Sequence, residues 1–203
     1  MHRFFPFLKT LVFIMVCLWT LGCATSPPTK FYMLSPLAPA SDTKAGSAQN
    51  QHPKTVRVDG VVVPGYLDRD EIVTRISENQ IHLADFNRWG EPLRNSLTNI
   101  LALNLSRLLP TENFAVFAFK CPSEVNYQII VEIIQMDGSL NGNVQLMAQW
   151  SIFVVKESNI LVTRESYFKA SEAPADYGAL VAAQSRLVEA LSREIAKSLQ
   201  ADL

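Results

Sequence analysis

The sequence predicts an α+β domain: a mixed, largely antiparallel sheet with two long amphipathic helices packed on one face. Three observations predict it. Short runs rich in Val, Ile and Phe recur between turn-forming residues. Leucines and isoleucines repeat at helical spacing after residue 92 and again after residue 176. The connections at 138–143 and 156–159 are short and polar, suiting hairpins, whereas a parallel crossover needs about a dozen residues or more.

The N-terminal segment is read apart from the domain. Arg3 and Lys9 lead into an apolar run at 11–21, and the small residues Gly22, Cys23 and Ala24 follow. This is the layout of a bacterial export signal, and the run is too short for the roughly 18–20 residues of a membrane-crossing helix. Leu21-Gly22-Cys23 resembles the lipobox of bacterial lipoproteins, although Thr20 and Leu21 stand where that motif usually places an aliphatic and then a small residue. The resemblance implies that residues 1–22 are removed and that Cys23 carries a diacylglyceryl thioether and an acyl chain on its amino group. Several chains on one residue hold a bilayer firmly, where a single chain holds only marginally. The alternative is ordinary cleavage near Ala24, with no lipid.

Composition limits the function. The chain has 203 residues, 48% hydrophobic and 18% charged, with a formal charge of -1. Loss of residues 1–22, with Arg3 and Lys9, leaves 181 residues carrying 16 basic and 19 acidic side chains, a charge of -3. A domain so balanced does not hold nucleic acid by counterion release. Cys23 and Cys121 are the cysteines left, and a thioether at Cys23 forbids a disulfide between them, so stability is expected from the core alone.

The elements follow in order. Residues 23–30 form the lipidated N-terminus and a polar tether, Pro27-Pro28 included, expected to keep the folded part off the bilayer. One domain is expected over 31–203. It opens on a short strand at 31–34 and a mobile surface loop at 35–54 with three prolines and no apolar period. Residues 56–63 read as a strand ended by Pro64-Gly65, and 72–76 with 81–84 as a hairpin. Leu93, Leu97, Ile100, Leu101, Leu105 and Leu108 mark the first helix, with Pro92 suited to its first turn and Pro110 closing it. Four strands are expected at 114–119, 125–136, 144–155 and 160–170. The second helix spans 177–199 through Leu180, Leu187, Leu191 and Ile195.

A catalytic set is not visible, and neither is a metal set. No phosphate loop, His-Glu-x-x-His, Gly-x-Ser-x-Gly or Cys-x-x-Cys occurs, and His82 has no histidine near it in sequence. Asp68-Arg69-Asp70-Glu71 reads as a solvated turn with local ion pairs. Asp137 with Asn141 and Asn143 reads as hairpin-turn chemistry, since Asn and Asp tolerate left-handed backbone, in preference to a calcium loop. Cys121 has only Lys120 beside it to activate a thiol.

A longer pattern carries a resemblance. Tyr32-Met33-Leu34, then Val61-Val62-Val63-Pro64-Gly65-Tyr66-Leu67-Asp68-Arg69, then Trp89-Gly90-Glu91-Pro92-Leu93 appear in the order seen in the PqiC/YmbA family of ABC-transport auxiliary lipoproteins. The likeness is most specific from Val58 to Leu105 and architectural after Phe114. It implies an envelope protein of a Gram-negative bacterium that works with mammalian-cell-entry (MCE) proteins and their transporter in moving lipids between the inner and outer membranes, supporting envelope integrity. It implies no cofactor beyond the lipids on Cys23, assembly with itself and with the transporter's periplasmic MCE-domain protein, and, with Ala24 rather than Asp after Cys23, the periplasmic face of the outer membrane.

Tyr66, Leu67, Phe86 and Trp89 are expected where strands and helices end, the last two in the loop before the first helix. Exposed aromatics there suit a partner-binding surface; buried, they seal the edge of the core. The competing function is a periplasmic binding module with a small apolar ligand between sheet and helices. An enzyme ranks below both, because no nucleophile with a base beside it can be named.

Overall fold

The computed structural model describes residues 26–39, 53–119 and 124–201. The signal segment, Cys23, Cys121 and residues 40–52 of the expected loop lie outside the described residues. The class is α+β, with eight strands and two helices among the described residues. The strands are β1 (Lys30–Tyr32), β2 (Lys54–Val58), β3 (Glu71–Ser77), β4 (Gln80–Trp89), β5 (Phe114–Ala118), β6 (Tyr127–Gly138), β7 (Val144–Val154) and β8 (Asn159–Lys169). The helices are α1 (Leu93–Leu108) and α2 (Tyr177–Gln200). No helix among the described residues is long and apolar enough to cross a membrane.

The strands divide between two sheets where the sequence suggested one. The larger has the order β5-β2-β6-β7-β8 and the smaller β1-β4-β3. β6, β7 and β8 form antiparallel hairpins as their short connections require, with Asn141 (φ 59°) and Ser158 (φ 51°) supplying left-handed backbone in the turns. β2 lies parallel to both β5 and β6. β2 is shorter than the expected strand at 56–63. It pauses at Asp59-Gly60 and resumes as a single bridge from Val62 to Glu132, one residue out of step.

β4 is longer than expected, and this is a correction: Phe86 and Trp89 stand on a strand, not in a loop. The strand persists because residues 87–89 gain a parallel partner in β1, which periodicity within residues 81–89 cannot reveal. α1 begins with Pro92 as its N-cap, one place earlier than the first-turn position expected, and Leu109 and Pro110 end it. Asp176 caps α2, accepting the Ala179 N–H at 2.8 Å.

Both helices pack on one face of the large sheet. Ile129, Val131 and Ile133 of β6 and Leu146, Ala148, Trp150 and Ile152 of β7 are buried, while Ile130, Glu132 and Gln149 between them face outward. Leu97, Leu101 and Leu105 of α1 and Leu180, Leu187, Leu191 and Ile195 of α2 complete this core. A polar seam crosses it. Asn104 donates to Ser192 Oγ at 3.1 Å and accepts the Leu37 N–H at 2.7 Å, and the Ser35 N–H donates to Ser185 Oγ at 3.0 Å. The start of the 35–54 segment is thus tied across both helices.

Candidate functional site

The strongest polar constellation lies where the small sheet meets the open face of the large one, and a bulge creates it. Along β6, residues 127, 129, 131 and 133 face the helices, and strict alternation would send Asp137 the same way. The pairing with β7 slips between Ile133 and Gln135. The extra residue reverses the parity: Met136 takes the helix side, opposite Leu146, and Gln135 and Asp137 turn to the other face.

There Asp137 is buried but fully hydrogen-bonded. Arg75 of β3 donates through Nε to Oδ1 (3.1 Å) and through Nη2 to Oδ2 (2.7 Å), Tyr66 OH donates to Oδ2 (2.9 Å), and Gln135 Nε2 donates to Oδ1 (3.0 Å). Arg75 Nη1 also donates to Glu78 O at 2.9 Å, closing the β3–β4 turn. Four donors fill the four lone-pair positions of one carboxylate. Beside them is an open cleft of about 370 Å³ lined by Tyr66, Arg75, Glu78, Ile134, Gln135 and Gln145.

The electrostatics fix the protonation states. Burial pushes the Asp137 carboxyl up, but the bonds from Arg75, Gln135 and Tyr66 outweigh it and hold the group below its ordinary value. Burial, and then the Asp137 charge, push the Tyr66 hydroxyl well above its usual range. The bond to Asp137 holds the proton on Arg75 still more firmly. At neutral pH the acid is ionised and both donors are protonated, so none is poised to exchange a proton. The arrangement clasps β3 and the residue 59–70 connection onto the end of β6.

The residues singled out in the sequence separate. Leu67 (3% exposed) and Trp89 (6%) belong to the core, and half-buried Tyr66 serves the clasp; Phe86, 36% exposed, is open to solvent. His82 stands exposed on β4. Asp68 pairs with Arg94, and Glu71 with Arg69 (3.5 Å) and Arg88 (3.8 Å), the local ion pairs expected of that turn. Asn141 belongs to the β6–β7 turn, its N–H donating to Pro174 O at 2.7 Å, while Asp137 faces Arg75 instead. Sequence reasoning missed the Arg75–Asp137 pair. Its signal was a carboxylate that alternation along β6 places on the side of Ile129, Val131 and Ile133, where it demands a buried partner.

Comparison with known proteins agrees with this architecture. The model of the ABC-type transport auxiliary lipoprotein component family matches residues 32–196. The intermembrane transport lipoprotein PqiC of Escherichia coli K12 is 27% identical over 143 residues, covering 70% of this chain and 73% of that protein. The PqiC of Shigella flexneri matches equally. Among solved structures, one uncharacterized protein superposes with a TM-score of 0.69 at 21% identity, over 85% of this chain and 99% of that one. A Xanthomonas campestris protein does so at 0.65 and 11% identity, over 86% and 98%. These two speak for the fold. With the family model spanning the domain from β1 to the last turns of α2, the chain belongs to the ABC-type transport auxiliary lipoprotein component family.

Proposed function

We propose that this protein is a lipid-anchored periplasmic accessory subunit of an MCE-type ABC lipid transport system, supporting lipid movement between the inner and outer membranes and envelope integrity. The observation that carries the reading is the order of parts in the sequence: residues 1–22 with the layout of an export signal, Cys23 and a short polar segment, and a family-matched domain from residue 32. The mature N-terminus is Cys23, bearing diacylglyceryl and N-acyl chains, and Ala24 directs it to the periplasmic face of the outer membrane. Its partners are further copies of itself and the transporter's MCE-domain protein.

The role is docking rather than catalysis. The most polar buried cluster is saturated by its own hydrogen bonds, which suits a structural clasp and gives no general acid or base. The same filling disfavours the apolar-ligand module. Trp150, Ile152, Leu146 and Leu180 occupy the space between sheet and helices, and Trp150 Nε1 is spent on Ser166 Oγ at 2.8 Å.

The test is affinity purification of the full-length protein from detergent-solubilised envelopes, with the co-purifying proteins identified. Recovery of an MCE-domain protein, diminished for Cys23→Ser, is the expected result. Its absence under conditions that retain the acylated protein contradicts the assignment.

A further inference from the structure

The small sheet has an outward apolar face that neither the core nor the clasp uses. Phe31 is 67% exposed and Met33 59%, while Tyr32 between them and Leu34 after them turn inward. The β1–β4 register sets Phe31 beside Arg88; the Tyr32 hydroxyl donates to Asn87 Oδ1 at 2.9 Å, which places Asn87 with Tyr32 on the inner side and leaves its exposed neighbour Phe86 toward the side of Phe31. Large apolar side chains gathered on one exposed face call for an explanation that scattered ones do not.

Where this face lies in the chain indicates its occupant. Six residues lie between Cys23 and Lys30, the first residue of β1, and the seven steps along the chain reach at most about 25 Å when fully extended. The small sheet is therefore the part of the fold that enters directly from the anchor. We propose that the Phe31, Met33 and Phe86 face rests on the phospholipid surface that holds Cys23, an inference that builds on the lipid anchor proposed above. The tether then limits how far the domain can leave the membrane instead of holding it clear. Arg88, beside Phe31, pairs with Glu71 at 3.8 Å, and exposed Lys30 is the next residue along β1, so the contact proposed is carried by the apolar side chains. Such docking fixes which end of the domain points into the periplasm, leaving the open face of the large sheet free for protein contacts.

The experiment uses the full-length protein extracted from membranes and reconstituted into phosphatidylcholine vesicles with plain or brominated acyl chains. Phe31→Trp reports on the proposed face. Ile160→Trp, equally exposed on the edge strand β8 that packs on β7 and α2, reports elsewhere. Emission of the parent protein, with Trp89 and Trp150 buried, is subtracted. The expected result is at least about twofold quenching by bromine at position 31, and little at position 160. Absence of quenching at 31, equal quenching at both, or a blue shift at 31 that follows protein concentration instead of bromine overturns the proposal; the last identifies a second copy as the occupant. Intact mass of the same sample separates the two claims. Acyl chains present without quenching end the docking proposal alone, and a missing lipid without quenching ends the anchor as well.

Discussion

The two faces of the large sheet are held by different physics. On the helix side, Ile129, Val131, Leu146, Trp150 and Ile152 meet two leucine-rich helices, and the attachment is broad and apolar. On the other side, the small sheet adds Ile72, Val73, Ala84 and Trp89 to the same apolar core, and its open end is tied down by a single carboxylate with four donors, while Ile130, Glu132 and Gln149 remain open. Apolar burial is non-directional and scales with area, so the helix face supplies stability. A buried ion pair contributes little net stability against apolar substitutes, but breaking it on one side is costly, so the clasp specifies where the small sheet sits.

Substitutions can break this contrast in graded steps. Trp150→Ala, at the centre of the helix side, should cost about 4 kcal/mol in reversible denaturant unfolding, with the transition still cooperative. Arg75→Ala leaves the Asp137 carboxylate buried without its cation and should cost about 3 kcal/mol, with faster amide exchange concentrated in β3 and β4. Equal loss of protection across α1 and α2 would show that the clasp supports the whole fold, and not chiefly the small sheet.

Acid should act on the clasp side. Asp137 has a folded-state pKa below its unfolded one, so in the interval between them the unfolded chain binds the extra proton and stability rises with pH. Its contribution is complete above about pH 4, the ordinary carboxylate value, and is lost as pH falls through the lower folded value. Asp137→Asn should flatten the stability profile below about pH 4 relative to the parent. Asp176→Ala removes the α2 cap and should cost about 1 kcal/mol. Phe31→Ser, on an exposed face, should change stability by less than about 0.5 kcal/mol.

The helix side was readable in the sequence because its information is local. Leu97, Leu101 and Leu105, or Leu180, Leu187 and Leu191, announce a buried stripe by spacing alone. The open side was not, because it depends on events no window displays. The bulge at Ile134 reverses which residues of β6 face the helices, and only with that reversal does Asp137 reach Arg75, 62 residues away in the chain. The parallel pairing of β1 with β4 likewise extends a strand through Phe86 to Trp89, where a loop was the natural reading. Tyr66 was expected on a partner-binding surface or at the sealed edge of the core, and its hydroxyl donates inward, to Asp137.

The central claim is that this domain works at a membrane through Cys23. Its most direct test is the intact mass of the mature protein from separated inner and outer membranes, alongside a Cys23→Ser variant. The account predicts the Cys23-to-Leu203 chain with a diacylglyceryl and an acyl group, in the outer-membrane fraction, and loss of both features in the variant. An unmodified protein free in the periplasm would contradict it.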